Sequence, residues 1–234
     1  MINEIIKFAG IGKQEITESE LALVNKQSLK TLTAEEIYTF KIAACDNVVD
    51  RDYEHFTDEM LETLAKLFVG KTVISDHNWS AALQTARIYA GDVVAVGTDG
   101  TKKLMLRAYM LKNQGTLPVI EAIEGGILRE VSVGCTSNKA ICSICGINKR
   151  LAYCEHRPGK SYEGKLCTVA LDDASDAYEV SFVAVPAQPA AGVTKSYGGE
   201  DKKPEQLDDH KKAPELEARL RKAKIQMIKN KLED

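Results

Sequence analysis

The sequence predicts an α+β domain on a mainly antiparallel sheet or barrel, with flanking helices, a small zinc-knuckle insert and a C-terminal helix. Three observations carry this expectation. Strand-like runs outnumber helical ones through the middle of the chain. Consecutive strands are joined by hairpin signals, clearest in "TDGT" at 98–101, where Asp-Gly favours a tight turn. The glycines of "AGDVVAVGTDG" at 90–100 lack the strand–GxGxxG–helix setting of a dinucleotide fold.

The elements follow in order. Residues 1–36 read as a helical extension with two capping boxes: Thr17 with Glu20 ahead of "ESELALV", and Thr33 with Glu36 at the start of "AEEIYTF". "YTFKIAACD" (38–46) has the β-branched and aromatic content of a strand, and "DNVVDRDYEHF" after it reads as a turn-rich loop. "TDEMLETLAKLFVG" (57–70) is a punctuated amphipathic helix: a threonine cap, apolar residues at 60, 61, 64, 67 and 68, and a closing Gly70. "KTVISDHNWS" is a short strand ending in a polar cluster, and 85–111 is strand, turn, strand. "GTLPVIEAIEGGIL" reads as a helix stopped by Gly125 and Gly126. Two similar strands, "LREVSVGCTS" and "YEVSFVAVP", flank a cysteine-rich insert at about 138–170. The main domain spans 37–195. A Pro-, Gly- and charge-rich linker (196–213) and a helix (214–234) with a short heptad-like seam follow.

Bulk composition narrows the function. The 234 residues, 44% hydrophobic, suffice for one sizeable core. A formal net charge of −3 argues against a global nucleic-acid-binding field. No apolar run approaches the roughly 18 residues of a membrane span, and the acidic N-terminus is unlike a signal peptide, so a soluble intracellular protein is expected. In a reducing compartment the six cysteines read as metal ligands or buried thiols.

Cys142-x2-Cys145-x8-Cys154-x-His156 has the ligand types and pairing of a tetrahedral zinc site. Gly146 favours the turn that brings backbone amides to the sulfurs. An insert with so little apolar content needs a metal for order, and four protein ligands make the site structural rather than catalytic. Cys167 is the reserve ligand. The insert is locally basic but carries only Tyr153 and Tyr162 as aromatics and no second knuckle, which leaves nucleic-acid binding as a minor rival. Cys45 and Cys135 read as small buried hydrophobes, with Cys135 a minor candidate nucleophile.

A nucleophilic serine needs a base within reach and an acid to orient it. His156 belongs to the metal and His210 to the linker; of His55 and His77, His77 in "SDHNW" is the better base by elimination. Ser132 faces opposite to Val131 and Val133, and the following Gly134 permits the close backbone approach of an oxyanion site. Ser181 in "EVSFV" is a rival nucleophile; Glu130, Glu179 and Asp76 are candidate acids.

"DHNW" after helix and strand, "EVSVG", and "YEVSFVAVPAQPAA" together resemble the prohead (capsid maturation) serine proteases of tailed bacteriophages, related in fold to the herpesvirus assemblins. The resemblance covers about residues 38–194. It implies an assemblin-like fold, His77 as base, Ser132 as nucleophile and Glu179 as third member, where assemblins use a second histidine; Ser181 becomes structural. It also implies the scaffolding protein and major capsid protein as substrates, with self-cleavage, inside the assembling procapsid in the host cytoplasm. By the same resemblance a homodimer is expected. The cysteine insert departs from the simplest relatives. The rival reading is a phage structural or scaffolding protein that kept the fold and lost activity.

Overall fold

The computed structural model describes residues 16–194. Helix α1 (Glu18–Asn25) starts at the expected capping box: Thr17 Oγ1 accepts the Glu20 N–H at 3.2 Å while Glu20 reaches back to the Thr17 N–H. The second expected helix does not form. Glu36 instead accepts the Thr33 N–H at 2.9 Å and pairs with Lys30 at 2.6 Å, closing a turn from which strand β1 (Ile37–Asp46) departs. The capping-box residues are shared by turns, and the apolar spacing after Thr33 has the strand period.

Strand β2 (Glu54–Phe56), helix α2 (Asp58–Leu67) and strand β3 (Thr72–Ser75) come next. Thr57 caps α2 through the Met60 N–H, and its apolar stripe of Met60, Leu61, Leu64 and Ala65 is buried. The long hairpin of β4 (Ala86–Val96) and β5 (Thr101–Leu111) turns at the expected Asp-Gly, and helix α3 (Leu117–Glu124) ends at Gly125. Strand β6 (Val131–Cys142) leads into the cysteine segment with its small hairpin of β7 (Ser161–Tyr162) and β8 (Lys165–Leu166). Strand β9 (Val169–Phe182) returns beside β6, and β10 (Gly192–Val193) pairs with β1. The ladder of β6 with β9 runs to Cys142 opposite Val169, so regular strand occupies both margins of the expected 138–170 insert. The linker at 196–213, the helix at 214–234 and residues 1–15 of the expected N-terminal extension lie outside the described residues.

The α+β class holds, but the sheet is mixed. It has eight strands in the order β10-β1-β5-β4-β3-β9-β2, with β6 on the other edge of β9. Both β2 and β3 run parallel to β9, because α2 carries the chain back between them and a helical crossover returns a strand in the same direction. The expectation of hairpins throughout missed this unit. Nor is there a closed barrel: β6 and β10 are joined by a single bridge, Glu130 with Gly192, rather than by a ladder.

The main core lies on one face of the sheet, where Phe40, Ile42, Leu104, Leu106, Val131, Val180 and Phe182 meet α2 and Ile120 and Ile123 of α3. On the opposite face a second cluster of Val24, Leu32, Ile37, Tyr89 and Tyr109 seats α1, with Arg107 bridging Glu20 and Asp92. Because side chains alternate along a strand, burying Val131, Val180 and Phe182 in the main core turns Ser132, Glu179 and Ser181 to the opposite face.

Candidate functional site

On that opposite face β9 is central. β6 lies along one edge, with Ser132 opposite Ser181 and Gly134 opposite Glu179. On the other edge β3 sets Thr72 beside Glu179 and Ile74 beside Ser181. Directly after β3 the chain reverses in a two-residue turn, Asp76 at φ 53° and His77 at φ 51°, closed by the Asn78 N–H donating to Ser75 O at 3.0 Å. Two successive positive φ angles mark a type I′ turn, which Asp, His and Asn tolerate better than other non-glycine residues. Left-handed backbone at two side-chain-bearing residues costs free energy, and such strain concentrates at functional sites.

The turn folds His77 back over the sheet. Its backbone N–H donates to Ser181 Oγ at 2.8 Å, and its Nδ1 lies 2.8 Å from Glu179 Oε1. Glu179 and Ser181 are fully buried, while the imidazole keeps an exposed edge. The acid is therefore held in a low-dielectric setting against one ring nitrogen, leaving Nε2 on the outer side. Among the described residues no hydrogen bond joins Ser132 Oγ to the imidazole. Ser181, the rival nucleophile, has its oxygen committed to the His77 backbone. Burial and the Glu179 carboxylate push the Cys135 thiol up to about 11, which deprives it of thiolate character at neutral pH. Glu130 sits at the bridge to Gly192 and Asp76 within the turn, so of the three candidate acids Glu179 is the one on His77.

Gly134 has a role the sequence did not disclose. A Cβ there would collide with Glu179 Oε1, so the glycine makes room for the carboxylate beneath the imidazole. Tyr178, the extra residue of a β-bulge opposite Gly134 and Cys135, turns its ring onto Trp79 with centroids 5.3 Å apart. These two rings wall a cleft of about 410 Å³ next to Glu179. The type I′ turn was the detectable signal here: "SDHN" is rich in residues that accept positive φ.

At the far end of the β6–β9 hairpin the cysteine segment forms a compact donor cluster. One donor atom from each of Cys142, Cys145, Cys154 and His156 lies within 4.8 Å of the others. Cys145 Sγ and Cys154 Sγ are 3.5 Å apart, as are Cys154 Sγ and His156 Nδ1. Zinc–sulfur bonds of about 2.3 Å in a tetrahedron put sulfurs about 3.8 Å apart, so the spacing fits that ion. Gly146, at φ 72°, closes the expected turn, and its N–H donates to Cys142 O at 2.9 Å. Burial would raise the Cys142 thiol, but the N–H groups of Cys145 and Ile144 and the neighbouring Cys154 and Cys145 thiols outweigh it and lower it to about 6. A thiol ionised this readily is a prepared ligand. Tyr162 packs edge-on against His156 at 4.6 Å and its hydroxyl accepts the Arg157 N–H, holding the histidine arm. Cys167, buried with its sulfur 3.9 Å from Cys142 Sγ, flanks the cluster. These donors could hold a metal ion.

The remaining predicted residues fall elsewhere. His55 lies on β2, opposite Ala170, and Cys45 is buried in the main core. No helix among the described residues is long and apolar enough to cross a membrane. Comparison with protein-family models, curated proteins and solved structures finds no match.

Proposed function

We propose that this chain is a serine endopeptidase of the phage prohead-maturation type, with Ser132 as nucleophile, His77 as base and Glu179 as the orienting acid. The observation that carries the reading is the 2.8 Å contact of His77 Nδ1 with the buried Glu179 carboxylate, made by a strained turn on the sheet face to which Ser132 points. In this arrangement Nδ1 bears the proton shared with Glu179 and Nε2 is the free lone pair. Nε2 takes the Ser132 proton as Oγ adds to a peptide carbonyl. The imidazolium, stabilised by Glu179, then protonates the leaving amine as the C–N bond breaks, and water repeats the sequence on the acyl-enzyme. The substrates are the scaffolding protein, the N-terminal region of the major capsid protein and the chain itself, cut inside the procapsid; a homodimer is the working form.

The ion that Cys142, Cys145, Cys154 and His156 would hold is zinc, and with four protein ligands its role would be structural. The second reading, an inactive structural protein with the same fold, draws on the missing Ser132–His77 hydrogen bond, although such bonds are commonly long until substrate closes the site.

The test is intact-mass spectrometry over a day, wild type beside Ser132→Ala, following the chain itself and an added unfolded protein. Fragments should form with the wild type and fall by roughly 10³-fold or more in the variant. Equal fragmentation in both removes Ser132 from the chemistry, and none in either supports the inactive protein.

A further inference from the structure

The cleft walled by Trp79 and Tyr178 has a floor with an uneven charge. Arg87, Thr72 and Glu179 form one cross-strand row over β4, β3 and β9, each the register partner of the next. At about 4.8 Å per strand the ends of this row are roughly 10 Å apart. Glu179 ends the row beside His77, and its second oxygen, Oε2, is buried without a hydrogen-bond partner. Arg87 ends it with the opposite charge. Its guanidinium donates to Gly70 O at 2.8 Å and to Gln84 Oε1 at 3.0 Å, both neutral, and no carboxylate among the described residues pairs with it. The other cation of the cleft, Lys71, is neutralised by Asp176 at 3.1 Å. Above the floor, Trp79 is 71% exposed and stacks on nothing but Tyr178 among the described residues.

We propose that this cleft is the specificity subsite of the protease, and that it selects extended peptides carrying a carboxylate side chain four or five residues from the cleaved bond, with an apolar side chain lying on the Trp79–Tyr178 platform. The inference rests on the reading of Ser132, His77 and Glu179 as the reacting centre. Ser132 lies one strand beyond Glu179 and two residues along it, which puts Arg87 roughly 16 Å from the nucleophile, a span that an extended chain advancing about 3.3 Å per residue covers in four or five residues. A carboxylate gives Arg87 the anionic partner it lacks, in bidentate geometry. Trp79 and Tyr178 offer rigid apolar area at low entropic cost, as aromatic residues do at recognition surfaces.

The chain has a single tryptophan, so its fluorescence reports the cleft directly and without catalysis. The experiment titrates full-length Ser132→Ala protein with octapeptides of leucine and alanine in which one glutamate is moved along the chain, each beside its glutamine counterpart. The best glutamate peptide should bind roughly tenfold or more tightly than its counterpart, the worth of one charge-assisted pair. Adding Arg87→Gln should bring that ratio to about one, and Arg87→Lys should restore part of it, which separates lost charge from lost folding. Equal affinity for glutamate and glutamine, an unchanged ratio after Arg87→Gln, or no fluorescence response to any peptide would each overturn the proposal. Glutamate-selective binding together with a wild type that cleaves nothing would leave the subsite standing and sink the protease. Cleavage without glutamate preference would do the reverse.

Discussion

The two ends of the β6–β9 hairpin, about 30 Å apart along the strands, are organised by different physics. At the Ser132 end Ser132, Glu179 and Ser181 hang from a hydrogen-bonded ladder backed by the main core. His77 is held by its own backbone N–H on Ser181 as well as by its ring on Glu179. At the Cys142 end the ladder stops, the apolar content falls, and Leu151 and Tyr153 stand exposed around a knot of sulfur and imidazole donors. One end takes its geometry from packing. The other gathers four donors that could hold a metal ion.

The largest effect that would test this contrast is metal removal. Chelation should abolish amide protection across 143–168 while β1, β5 and α2 keep theirs, measured by hydrogen exchange on the full chain; a uniform loss would show that the far end supports the core. Next comes Gly134→Ala. The added methyl collides with Glu179, so it should destabilise the protein by about 1–3 kcal/mol in denaturant unfolding and slow cleavage as the His77–Glu179 contact opens. Unchanged stability and rate would mean that the carboxylate is free to move. The smallest effect is in pH. The folded Cys142 thiol, at about 6, lies below its ordinary 9.0. In the metal-free protein its ionised form contributes stability that is complete above about 9, shrinks between 9 and 6, and is gone below 6. Replacing Cys142 with serine should flatten that limb of the pH–stability curve and leave the Ser132 end's hydrogen exchange unaltered.

Much of this was legible in the residues. The cap at Thr57, the stripe of α2, the Asp-Gly hairpin and the helix ending at Gly125 are local patterns, and local patterns survive folding. The Cys/His donor cluster was legible for the same reason, since Cys-x-x-Cys and Cys-x-His each bring their own donors together over a few bonds. The capping signal at Thr33 misled because the same side-chain contacts close a turn as readily as a helix. The parallel placement of β2 and β3 was not legible, because hairpin signals say nothing about which distant strand an element will join.

By itself, then, the sequence determined the periodicities, the turns and the metal-ligand spacing, all set by interactions across a few residues. Only the tertiary structure decided that Glu179, rather than Glu130 or Asp76, meets His77, and that Gly134 yields its Cβ space to that acid. It alone placed Arg87 in line with the same acid. Each of these depends on strand register with the segment around Glu179, 45 to more than 100 residues away, and register is a property of the whole packed sheet.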